Sequence, residues 1–165
     1  MKRVVLYTFS VTLAASGALL SSMALVPDVP FEAAAAPSFP IGRLLAMTTV
    51  TMLLSGVVGG CLSNLRGITK HSAMGDFEPK YNLTYYLRPV SGGLSGIIVF
   101  FLLIGGAMTL GAGASQARLA WSSLLGRLPY IALALLAGYG SNEFMAKLKD
   151  LAGSLFALQK RDVKE

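Results

Sequence analysis

Apolar residues gather into four long stretches along this chain: Val4 to Val26, Ile41 to Leu62, Val90 to Ala114 and Leu119 to Gly140. A helix rises 1.5 Å per residue, so crossing about 30 Å of hydrocarbon takes roughly 20 apolar residues. The first and third stretches carry no charge, and the second carries only Arg43 at its edge. The pattern predicts an all-α integral membrane helical bundle with about four transmembrane helices, forming a single membrane domain over 1–165.

The fourth stretch is irregular. Pro129 to Gly140 gives 12 uncharged residues, or about 18 Å of helix, too short to cross alone. Extending it upstream through Leu119, Trp121, Leu124 and Leu125 places Arg127 inside the span, where it has to snorkel or find a polar partner. Pro129 then marks a kink, or the first turn of the true helix after a short interfacial one.

Beyond Gly138-Tyr139-Gly140 the pattern changes. Ser141 is placed as an N-cap, with Glu143 in the first turn. Phe144, Leu148, Leu151 and Leu155 recur at helical spacing, while Lys147, Asp150 and Ser154 face away. This predicts an amphipathic cytoplasmic helix over about 142–157, lying on the membrane surface or docking on a partner.

Between the spans, Pro27 to Pro40 holds four prolines and no basic residue, and reads as an extended outer connector. Asn64 to Leu87 is the largest polar segment. Its Gly67, Gly75, Pro79 and Asn82 argue against a long helix there. Tyr81, Tyr85, Tyr86 and Arg88 then lead into the third span as an interfacial belt.

A hydrophobic fraction of 54% with 13% charged residues fits the membrane reading, since soluble domains carry roughly a quarter charged. The net charge of +6 is distributed by crossing. Lys2 and Arg3 precede the first span, Arg66, Lys70, Lys80 and Arg88 lie between the second and third, and Lys147, Lys149, Lys160, Arg161 and Lys164 follow the fourth. The alternate connections hold only Arg118 and Arg127, with Arg43 at a membrane edge. Such alternation is the positive-inside pattern. It predicts a multi-pass protein of the bacterial inner membrane with both termini cytoplasmic, and it explains the basic excess without nucleic acid.

The N-terminus has a second reading, because Met1-Lys2-Arg3, an apolar run and Ser22-Met23-Ala24 also resemble a signal peptide with a small-residue cleavage site. The run is long for an h-region, which favours a retained anchor. Cys61, the single cysteine, sits beside Gly59 and Gly60 as a small packing residue.

Small residues recur at helix-packing spacing: Gly56 with Gly60 and Ser55 with Gly59 on the second span, Gly92 with Gly96 on the third, and Gly17 with Ser21 on the first. In lipid, such faces bring backbones into close contact, either within one chain or between subunits. Gly56, Gly60, Gly92 and Gly96 are the helix-packing candidates. Phe144, Leu148, Leu151 and Leu155 are the candidates for a membrane-surface or partner contact.

From the second span onward the chain resembles a loose group of small uncharacterised bacterial multi-span membrane proteins. The resemblance, over about 45–157, rests on the Gly56 to Arg66 segment, Arg88-Pro89 with Gly92 and Gly96, and the Gly-aromatic-Ser break at Ala137-Gly138-Tyr139 with Ser141 and Phe144. In that group the break usually reads Gly-Phe-Ser-Glu-Arg-Phe; here it is one residue longer and lacks the arginine. The resemblance implies no activity, cofactor or catalytic residue.

No acidic residue, histidine or lysine falls within the apolar spans, and no Ser-His-Asp set, phosphate loop or metal cluster is present in the sequence. His71, the only histidine, has just Asp76 and Glu78 nearby, a poor metal set. A non-catalytic accessory or scaffold subunit of a larger membrane complex is expected, without cofactor, its partners being lipid, other membrane subunits or a second copy. The alternative is a homo-oligomeric, holin-like pore, whose polar stripe would have to come from Thr48, Thr49, Thr51 and Ser55. Those side chains are also placed to bond their own helix's carbonyls.

Overall fold

A computed structural model describes residues 2–29, 40–74, 82–105 and 120–161, with side chains placed for 4–29, 40–72, 83–105 and 121–154. Its regular elements are all helical: α1 (Lys2–Leu25), α2 (Ile41–Met74), α3 (Asn82–Ile104), a 3₁₀ turn (Ala120–Ser122), α4 (Leu124–Tyr139) and α5 (Ser141–Arg161). Three helices, α1 to α3, are long and apolar enough to cross a membrane, and α4 with α5 makes a fourth candidate if the bent pair counts as one span.

The helices run up and down. Val4, Ile68 and Tyr85 cluster at one end, where Tyr7 meets Tyr86 edge-on with ring centroids 4.7 Å apart. Val26, Val29, Leu44, Leu103 and Trp121 belong to the larger core at the other. There Phe100 sits edge-on to Trp121 and Tyr130, at 6.2 and 6.0 Å. The helix α2 lies centrally and packs on α1, α3 and α4.

Residues 64–74 are helical, against the expectation of a non-helical segment from Asn64 to Leu87; residues 75–81 lie outside the description. Packing explains the difference. Gly67 lies beneath Tyr85 and Arg88, so it admits a neighbouring side chain rather than breaking the helix. Asn64 is fully buried and donates from Nδ2 to the Tyr85 carbonyl at 2.6 Å. That carbonyl would ordinarily accept from residue 89, which is proline and has no N–H. The Asn64 amide supplies the missing donor, and α3 continues through Pro89. Thus α3 begins eight residues before the third apolar stretch, whose last part, 106–114, lies outside the described residues.

Ser123 caps α4: its extended backbone (φ −89°, ψ 154°) turns the side chain to accept from Gly126 N–H. Pro129 lies within the helix rather than in its first turn. At the other end Gly140 N–H bonds the Leu136 carbonyl and the Gly140 carbonyl accepts from Phe144 N–H, so one glycine closes α4 and opens α5. Ser141, expected as the cap, instead lies buried with its hydroxyl 3.4 Å from that of Ser91 on α3. The chain turns by 95° at this break.

Candidate functional site

Glycine backbones form the contact among α2, α3 and α4. A Cβ added to Gly60 would lie 2.6 Å from the Arg88 carbonyl oxygen. One on Gly92 would lie 2.6 Å from that of Gly56, and one on Gly96 2.6 Å from that of Met52. Real Cβ atoms essentially never come within 3.0 Å of such atoms. Gly138 of α4 abuts Gly56, and Gly59 meets the Leu135 carbonyl. The structure therefore brings Gly56, Gly60, Gly92 and Gly96 together inside one chain, and adds Gly59 and Gly138 to them. On α1, by contrast, Gly17 faces open space and Ser21 back-bonds to its carbonyl, so that spacing makes no helix contact among the described residues.

The threonines and Ser55 of α2 turn to backbone carbonyls. Thr48, Thr49 and Thr51 donate to Leu44, Leu45 and Met47 one turn earlier, at 2.9, 2.8 and 3.1 Å. Ser55 departs from its own helix and donates to Ile131 of α4 at 2.7 Å.

Arg127 takes the polar-partner route rather than snorkelling, for it is only 1% exposed. Its Nε donates to the Trp121 carbonyl at 2.9 Å, Nη1 to Val26 at 3.3 Å, and Nη2 to Ser122 at 2.6 Å and to Pro27. Ser122 Oγ donates to the Val29 carbonyl at 2.9 Å, and Leu124 N–H donates to the Asp28 carboxylate at 2.9 Å. The end of α1 is thereby fastened to the start of α4, a pairing across about 100 residues that local spacing does not signal.

At the opposite end, Ser63, Arg66, Gly67, Lys70, His71, Arg88, Tyr139, Asn142 and Glu143 surround an open polar cleft of about 540 Å³. Arg66 Nη1 donates to the Tyr139 hydroxyl at 2.5 Å. Arg88 lies 5.8 Å from the Tyr85 ring centroid and reaches the Ser63 carbonyl at 3.4 Å. Its buried Nε has no hydrogen-bond partner among the described residues. Arg66 and Lys70, four apart, share a face only because this segment is helical. Reading it as a loop concealed the cleft. Among the described residues no group of three or more His, Cys, Asp or Glu side chains could hold a metal ion.

On α5, Phe144 packs against the main core, Leu148 is half-buried and Leu151 is 51% exposed. The Leu155 side chain lies outside the described residues. Lys147, Lys149 and Asp150 are exposed. No protein-family model, curated protein or solved structure matches the chain.

Proposed function

We propose that this chain is an integral protein of a bacterial inner membrane, crossing it four times with both termini cytoplasmic, and that it serves as a non-catalytic accessory or scaffold subunit of a larger complex. The observation that carries this reading is where packing is complete and where it is not. The close glycine contacts are used within the chain, while large apolar side chains cover its outside. Leu6, Phe9, Leu13 and Leu20 lie exposed along α1, and Leu87, Val90, Leu94 and Phe101 along α3. A surface so apolar calls for lipid or a partner helix. The inward-turned Val4, Thr8 and Ala15 support retention of α1 as part of the bundle. The 95° turn supports a surface position for α5, because a helix at right angles to a span lies along the membrane.

Purification in mild detergent, with identification of co-migrating proteins, tests the role. A complex of fixed stoichiometry is expected. A ring of this chain alone that passes ions in liposomes would replace the scaffold by a pore.

A further inference from the structure

We propose that the cleft formed by the ends of α2, α3 and α4 and the start of α5 binds a phosphate group, supplied by the headgroup of an anionic phospholipid. The choice of a lipid source rests on the membrane reading above. Arg66, Lys70 and Arg88 line the cleft against one carboxylate, Glu143. Tyr139 holds Arg66, and the Tyr85 ring with the Ser63 carbonyl holds Arg88, so both guanidinium forks are positioned in advance. Arg88 Nε is buried and without a hydrogen-bond partner among the described residues, so this guanidinium keeps an unmet demand for an acceptor. Asn142 and Glu143 belong to the first turn of α5, where backbone N–H groups lack intrahelical acceptors and favour negative charge. The cleft's volume lies within the range of about 300–1,000 Å³ typical of small-molecule sites.

Two further residues favour a lipid over free phosphate. Leu62 lies one turn before Arg66 on α2, and Leu136 one turn before Tyr139 on α4; both are exposed, at 40% and 61%. Each shares a helix face with its cleft residue, on the side toward the middle of the bundle. A phosphate held in the cleft would therefore have apolar surface beside it for acyl chains.

The test uses the full chain purified in neutral detergent, with binding followed by native mass spectrometry. The probes are dihexanoyl phosphatidylglycerol, dihexanoyl phosphatidylcholine and inorganic phosphate. Phosphatidylglycerol is expected to be retained in preference to phosphatidylcholine. The double variant Arg66→Gln/Lys70→Gln is expected to weaken that retention by about tenfold or more. Arg43→Gln, which removes an exposed cation at the other end, leaves it unchanged. Both cleft positions are solvent-facing helix sites, which spares the fold, whereas Arg88 also packs over Gly67. Equal retention by wild type and double variant overturns the cleft. Inorganic phosphate that binds as tightly and displaces the lipid overturns the lipid source while leaving a phosphate site. Insertion into phosphatidylcholine nanodiscs is scored separately, and failure there overturns the membrane reading itself.

Discussion

Asn64 and Pro89 act as one unit, since the side-chain amide stands in for the N–H that the proline lacks. Asn64→Ala leaves the Tyr85 carbonyl without a donor in a buried setting, at an expected cost of about 1–3 kcal/mol. In a Pro89→Ala background the backbone N–H returns and most of that cost disappears. A double-mutant cycle on thermal unfolding in detergent measures this, and additive effects would refute the substitution of donors. Arg127 was visible in the sequence as a problem, a charge inside an apolar stretch. Its solution was not visible, because the carbonyls that receive it belong to Val26 and Pro27, far upstream. Arg127→Leu should destabilise by about 3 kcal/mol or more, because it strands several buried carbonyls at once. Arg127→Lys should recover only part of this, since an ammonium has three donors and no planar fork. Melting temperatures of the three proteins should rank in that order.

Glycines make opposite contributions according to what faces them. Gly17→Ala meets nothing within 4 Å and gains about 0.5–1 kcal/mol of helix preference. Gly92→Ala and Gly96→Ala drive a methyl into the backbone of α2, and should lower stability and recovery of any complex. Equal effects at all three positions would mean that the helices do not meet there. The small-residue spacing was legible in the sequence, but which faces met was not, because the same spacing on α1 makes no helix contact among the described residues. Local rules also misjudged residues 64–74: Gly67 has poor helix propensity, yet contact with α3 decides the outcome. For α5 the apolar face was legible from periodicity. Replacing Leu148 and Leu151 by Ser should release the helix without harming the bundle. Protease protection of the tail, compared in anionic and neutral lipid, tests whether membrane or partner holds it. Protection indifferent to lipid charge would favour the partner.

The alternation of basic residues and the up-and-down order of the helices point to the same arrangement. Arg66, Lys70 and Arg88 share one end of the bundle with the start of α1, while Asp28, Arg43 and Arg127 lie toward the other. In a Cys61→Ala background, Ser38→Cys should react with an impermeant maleimide in intact cells, and Ala73→Cys only after permeabilisation. The reverse pattern would invert the topology. Long apolar helices were readable because hydrocarbon thickness imposes length. The cleft was hidden because it joins the ends of three helices to the start of a fourth.

The buried arginine also bears on the order in which the chain enters the membrane. Alone, α4 is a poor candidate for insertion: its 16 residues amount to about 24 Å of helix. Arg127, its fourth residue, brings a charge that is buried in the fold rather than snorkelled to the interface. The charge is met in full when the carbonyls of Val26 and Pro27 join those of Trp121 and Ser122 around the guanidinium. On the four-span topology proposed above, seating of α4 therefore draws on α1, which precedes it in the chain. Arg127→Leu, which weakens the finished protein, should by the same reasoning let α4 insert without α1.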